Sequence, residues 1–162
     1  EEMEHLASEE IPFEIVPGIT SAIAGPGTAG IPVTHRDHAS SVSFVTGHED
    51  PTKEESAVNW EALAATGGTI VVLMGVGKLP DYTAALRDAG MDPDTPVALV
   101  ERATRPEMRV ATGTLDTIVD VRDEAGIEPP AITVIGAVAS TRERVVDFLR
   151  NRTGDAVEVA DE

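Results

Sequence analysis

The chain has 162 residues, enough for one domain with a sizeable core or a small domain with part of another. Its 29 acidic and 12 basic residues leave a net charge of -17, a surface that repels nucleic-acid phosphates and excludes a general DNA or RNA binder. It has no cysteine, which excludes disulfides, thiolate metal sites and thiol nucleophiles and fits a cytoplasmic location.

The first residues, "EEMEHLASEE", read as a helix already under way and have neither the basic nor the apolar part of a signal peptide. The chain opens on Glu, and we take it as a fragment or processed chain. "PFEIVPG" reads as a short buried strand ended by Pro-Gly, and "SVSFVTG" (41–47) as a β-branched strand. "NWEALAATGG" predicts a helix capped by Asn59 and stopped by Gly67 and Gly68. "TIVVLMG" has the continuous apolar pattern of a strand buried on both faces.

"LPDYTAALRDAG" predicts a helix stopped by Gly90, followed by the strands "TPVALVER" and "EMRVATG". "TLDTIVDVRDEAG" offers Ile118, Val119 and Val121 for burial, with Gly126 as the stop. "PAITVIGAV" is a strand, and "STRERVVDFLRN" an amphipathic helix that turns Val145, Val146, Phe148 and Leu149 inward. The acidic "GDAVEVADE" reads as a frayed tail. Strands alternating with helices predict an α/β fold whose sheet is mixed but mostly parallel, with one antiparallel pairing between "VALVER" and "EMRVATG". No apolar run approaches the roughly 18 residues that span a bilayer, so no membrane partner is expected.

Only Lys53 and Lys78 are lysines, the other ten bases being arginines. Dense carboxylates with few lysines fit adaptation to high salt, where screening removes self-repulsion, the alternative being an unusually acidic mesophilic surface.

Gly25, Gly27 and Gly30 in "PGITSAIAGPGTAGIPVTHR" match G-x-G-x-x-G, and Glu49 supplies an acid about 20 residues on. A dinucleotide loop, however, follows a strand directly and opens a long helix. Here "PGITSAIA" intervenes and Pro32 denies a following helix its early turns, so the spacing does not make a phosphate cradle. The same glycines suit a small-residue helix, capped by Thr20 or Ser21, that approaches a neighbouring sheet or ligand closely.

The run "PFEIVPGITSAIAGPGTAGIPVTHRDHASSVSFVTGHE" resembles the central signature of the tetrapyrrole methylases. The resemblance continues in order through "NWEALAATGGTIVVLMGVGKLPDY", "TPVALVERATRPEMRVATGTL" and "PAITVIGAV", covering about residues 1–150. It implies two α/β domains with S-adenosyl-L-methionine between them. Residues 1–38 would then end the first domain, 39–150 form the second, and 151–162 form the tail. The family's amino-terminal glycine-rich loop and G-D-P segment have no counterpart in this chain.

By this resemblance the cofactor-binding residues are Thr20 and Ser21, Met74, Ala103 where most relatives have glycine, and Pro130 and Ala131. Arg36 and Glu1 match substrate-side positions. An always-charged arginine can bind a tetrapyrrole carboxylate bidentately; Arg102, Arg105 and Arg109 are either further cations that could draw such an anion in or solvated ion-pair partners. Met108 stands where relatives usually carry glutamine. The implied activity is C-methylation of uroporphyrinogen III to precorrin-2, in sirohaem and cobalamin biosynthesis, by a homodimer. The present chain alone is expected to be inactive.

Such chemistry depends on positioning and requires no strong general base, and no Ser/His/Asp set with a nucleophile turn is evident. No catalytic side chain is therefore assigned. His35-x-x-His38 and His48-Glu49 lack a helix to set metal-ligand spacing, and no metal is assigned either. Two alternatives stay open: methylation of a later corrin intermediate, and a non-catalytic binding or dimerisation module.

Overall fold

The structure, a computed structural model, describes residues 1–48 and 58–146. Its centre is a five-stranded sheet of β1 (Val42–Thr46), β2 (Thr69–Leu73), β3 (Pro96–Glu101), β4 (Arg109–Thr114) and β5 (Ala131–Ile135), in spatial order β1-β2-β5-β3-β4. The three interior strands β2, β5 and β3 are the apolar runs of the sequence, and nearly every residue in them is buried. The edge strands β1 and β4 have interrupted burial, as strands paired on one side only do.

The sheet is mixed, but parallel pairing is in the minority. β1 and β2 run parallel, whereas β2–β5, β3–β5 and β3–β4 are antiparallel. The expectation of a mostly parallel sheet is corrected here. Strand–helix alternation suggests right-handed crossovers, but β5 enters between β2 and β3 from the opposite direction.

Alternation along the interior strands divides the core. Ile70, Val72, Val97, Leu99 and Ile135 face a layer containing α3 (Trp60–Thr66), α4 (Leu79–Asp88) and α5 (Ile118–Ala125). Val71, Ala98, Val100, Ile132 and Val134 face α2 (Ser21–Thr28) and the 137–140 turn. On the second face Ala22, Ala29, Ala39 and Ala139 keep the separation small. Gly25 shows why: a Cβ there would lie 2.6 Å from Ile132 Cδ1 and 3.4 Å from Ala103 Cβ.

Helix ends follow local chemistry. Thr20 Oγ1 accepts the Ala22 N–H at 3.2 Å, capping α2, and Asn59 Oδ1 accepts that of Ala62 at 2.9 Å, capping α3. Gly67 and Gly126 end α3 and α5 in the left-handed conformation that glycine adopts without a Cβ clash. On the helical face Tyr82 stacks on Trp60 with centroids 5.4 Å apart and shares a 2.8 Å hydrogen bond with Thr133.

Two further expectations change. "PFEIVPG" forms no strand; residues 11–20 are exposed and Ile15, Val16 and Ile19 are among the most exposed apolar side chains. An isolated β-prone run cannot form a ladder without a neighbouring strand to accept its hydrogen bonds. Residues 141–146 are helical, but Val145 is 38% exposed because it leans on the Gly30 bend and not into the core. Phe148, Leu149, Glu49 and the acidic tail lie outside the described residues. The initial helix is present as α1 (Glu2–Ser8), with no buried residue. Val119 and Val121 are half-buried against the helical-face core beside the fully buried Ile118.

Candidate cofactor cleft

Strand polarity brings separated parts of the sequence to one sheet edge. β5 is antiparallel to both β2 and β3, so the last residues of β2 and β3 lie beside the first residue of β5. There Val72 pairs with Thr133, and Glu101 pairs with Ala131. A cleft of about 470 Å³ opens at this edge, with Leu73, Val76, Val100 and Ile132 as its apolar floor.

Ser21, Met74, Ala103, Pro130 and Ala131 all line this cleft. They come from four places in the chain more than 20 residues apart, and only the sheet unites them. Thr20, whose side chain caps α2, immediately precedes Ser21. Arg36 and Glu1 are not among the lining residues; Arg36 is exposed in the turn closed by the His35–Ala39 bridge, and Glu1 is exposed before α1.

The backbone around the cleft is strained. Met74, Arg102 and Thr104 have φ of 54°, 47° and 70°, a region that costs a residue with a Cβ roughly 1–3 kcal/mol. Among the described residues only Glu10 shares this feature, far along the chain at the end of α1. The turn after β3 is held from two sides: Arg102 N–H donates to Pro130 O at 3.0 Å and Met108 N–H to Arg105 O at 3.0 Å. Thr28 Oγ1 also lies 3.7 Å from Met108 Sδ, tying the end of α2 to the approach to β4.

Of the three arginines in "ERATRPEMR", Arg102 and Arg105 line the cleft. Arg109 does not. Its guanidinium forks onto the buried Glu101 and onto the carbonyls of Ala125 and Gly126. Of the two readings open for Arg109, anion-drawing cation or ion-pair partner, the structure shows the ion pair. The signal was present in the sequence as one acid in an otherwise apolar strand, eight residues before an arginine across a hairpin.

The histidines form a local pair and not a wider cluster. His35 and His38 rings are 4.5 Å apart, the His35 Nδ1 accepts the Asp37 N–H at 3.1 Å, and His48 is exposed. The cleft-lining residues that sequence reasoning missed, such as Val76, Gly77 and Pro129, carry no distinguishing chemistry of their own. Their only signal is adjacency to strand ends.

Residues 1–119 match the family of Tetrapyrrole (Corrin/Porphyrin) Methylases. The chain belongs to that family. It is 59% identical over 138 residues to the S-adenosyl-L-methionine-dependent uroporphyrinogen III methyltransferase of Methanosarcina barkeri, covering 85% of this chain and 54% of that protein. This methylase chain thus spans about half the length of that relative. Its fold matches uroporphyrin-III C-methyltransferase of Thermus thermophilus complexed with S-adenosylhomocysteine, with a TM-score of 0.69 and 32% identity, over 86% of this chain and 59% of that one. It also matches a cobalt precorrin-4 methyltransferase of cobalamin biosynthesis with a TM-score of 0.75 and 28% identity, over 85% and 57%.

The residues at the cleft fit an adenosyl ligand on their own terms. Its volume falls in the ordinary range for a small-molecule site of about 300–1,000 Å³. Its floor is apolar, and Met74, Arg102 and Ala103, in or beside the turns of positive φ, line it.

Proposed function

We propose that this chain supplies one wall of the S-adenosylmethionine site of an enzyme that C-methylates uroporphyrinogen III to precorrin-2. The convergence of Ser21, Met74, Ala103, Pro130 and Ala131 on one cleft carries this reading. The bound cofactor would supply an electrophilic sulfonium methyl group. Thr20 and Ser21 at the start of α2, Met74 after β2, Ala103 after β3, and Pro130 and Ala131 entering β5 would hold it.

The chain's own contribution is positioning, because C-methylation requires the acceptor carbon and the methyl donor to be aligned and water to be excluded. Arg36, with Glu1, lies on the substrate side in this reading. A guanidinium there can fork onto a tetrapyrrole carboxylate, and Arg102 and Arg105 offset the strongly acidic surface at the cleft mouth. Residues 1–38 close a preceding domain, with α2 packed across the boundary onto the sheet of residues 39–150. The enzyme works in the cytoplasm as a homodimer.

Calorimetric titration of the full-length protein with S-adenosylhomocysteine, followed by product analysis with uroporphyrinogen III, tests the reading. Absence of a methylated product overturns it. The likeness to a cobalt precorrin-4 methyltransferase supports a second reading, methylation of a later corrin intermediate, and product analysis with both substrates separates the two. A non-catalytic binding or dimerisation role predicts no turnover from either substrate.

A further inference from the structure

The cleft wall formed by Ala103 sits on a turn whose backbone is unfavourable for the residues it contains. Arg102 and Thr104, on either side of Ala103, both have positive φ. Such conformations persist only where surrounding contacts over-determine them. The residue before this turn is Glu101, the last of β3, which is 2% exposed although it is an acid. Its carboxylate receives Arg109 Nε at 2.6 Å and Nη2 at 2.5 Å, across the register pair that joins β3 to β4.

Arg109 reaches further. Its Nη1 donates to Ala125 O at 2.9 Å and its Nη2 to Gly126 O at 2.6 Å, the carbonyls that end α5. One guanidinium therefore ties the two ends of the turn to each other and to a helix packed on the sheet. A planar fork with several fixed donors can do this, whereas a single ammonium cannot. On the next residue, Arg102 N–H is bound to Pro130 O, so the same device also sets the turn against the start of β5.

We infer that Glu101 and Arg109 are positioning residues: the buried Glu101 carboxylate and the half-exposed Arg109 guanidinium, anchored on the end of α5, hold the strained 102–104 turn so that Ala103 presents its backbone to the cofactor. Neither residue lines the cleft, so both act through the turn. The inference rests on the reading of the cleft as the cofactor site. It adds that cofactor affinity depends on an ion pair outside that site.

Affinity for S-adenosylhomocysteine and the thermal midpoint are measured on the full-length protein for wild type, Glu101→Gln and Ile118→Val. The last trims a fully buried core side chain at the opposite end of α5 and serves as the destabilised comparison. At a temperature where all three are folded, Glu101→Gln weakens binding by about tenfold or more, the scale of a misplaced contact. Ile118→Val leaves affinity within about twofold, as a change in stability alone does.

If Glu101→Gln does not fold, Arg109→Lys decides. It keeps a cation beside Glu101 but cannot bridge to both α5 carbonyls, and a several-fold loss of affinity in the folded variant is expected. Unchanged affinity in whichever folded variant is read overturns the inference while leaving the cofactor site intact. Failure of wild type to bind S-adenosylhomocysteine instead overturns the reading of the cleft itself.

Discussion

Gly47 and Gly75 meet at the ends of β1 and β2, so closely that a Cβ on Gly47 would lie 2.7 Å from Gly75 Cα and 2.5 Å from Val72 Cγ1. The first of these atoms is backbone and cannot step aside. The strand ends are held together there by Gly47 N–H donating to Leu73 O at 2.7 Å. Gly47→Ala therefore forces the ends apart and lowers stability by about 1–3 kcal/mol, the usual cost of overpacking. Denaturant unfolding measures this, and a loss below a few tenths would show that the contact is loose.

The three glycines of the G-x-G-x-x-G spacing have three different fates. Gly25 packs against Ile132, Gly30 bends the chain at φ 76°, and Gly27 has no atom within reach of an added Cβ. Gly27→Ala then removes only glycine's backbone freedom and stabilises α2 by up to about 1 kcal/mol, with cofactor affinity unchanged. Gly25→Val, by contrast, clashes with Ile132 and Ala103 and lowers both stability and affinity. Loss of binding in Gly27→Ala would return the stretch to the status of a ligand-contacting loop.

Burial pushes the Tyr82 phenol well above its ordinary value near 10, and the Thr133 hydrogen bond and the charge of Arg122 only partly oppose this. The unfolded chain releases its phenolic proton above about pH 10 while the folded protein keeps it, so stability is unaffected below that pH and declines progressively as pH rises above it toward the higher folded value. Tyr82→Phe should flatten that alkaline decline. At neutral pH it costs about 1–3 kcal/mol, because the buried Thr133 hydroxyl loses its partner. Tyr82 is the only tyrosine, so phenolate absorbance reports its titration directly; ionisation near pH 10 in the folded state would contradict the account.

Arg36 is exposed and outside the cleft lining, so its proposed contact is with substrate alone. Arg36→Ala is expected to raise KM for the tetrapyrrole about tenfold, the loss of a charge-assisted contact, while the affinity for S-adenosylhomocysteine stays put. A fall in cofactor affinity with KM unchanged would assign Arg36 to the other ligand.

With a net charge of -17 the folded chain repels itself at low salt. Raising ionic strength from about 0.1 to 1 M shortens the screening length from about 10 to 3 Å and relieves this. The thermal midpoint should climb with sodium chloride over that range. A flat or falling midpoint would mean that the acids are already spread widely enough not to interact.

Much of the element map was legible in the residues. Asn59 and Gly67 bracket α3, Gly126 ends α5, and the runs "TIVVL", "PVALVE" and "AITVI" are the buried strands, because caps and continuous apolar runs act locally. "PFEIV" shows the limit of the same logic, since β propensity becomes a strand only when another strand accepts its hydrogen bonds. The ordered motifs also carried the family and pointed to Thr20, Ser21, Met74, Ala103, Pro130 and Ala131.

What only the tertiary structure decided is why those positions belong together, and which neighbours keep them there. The reversed entry of β5 between β2 and β3 places Ala131 beside the end of β3 and Met74 across the same opening. The β3–β4 register, with the end of α5, likewise sets the half-exposed Arg109 guanidinium on the buried Glu101 carboxylate. Composition, caps and apolar runs are properties of short stretches, and the sequence by itself determines them. Strand order and register are set by contacts between distant stretches, which no single stretch contains.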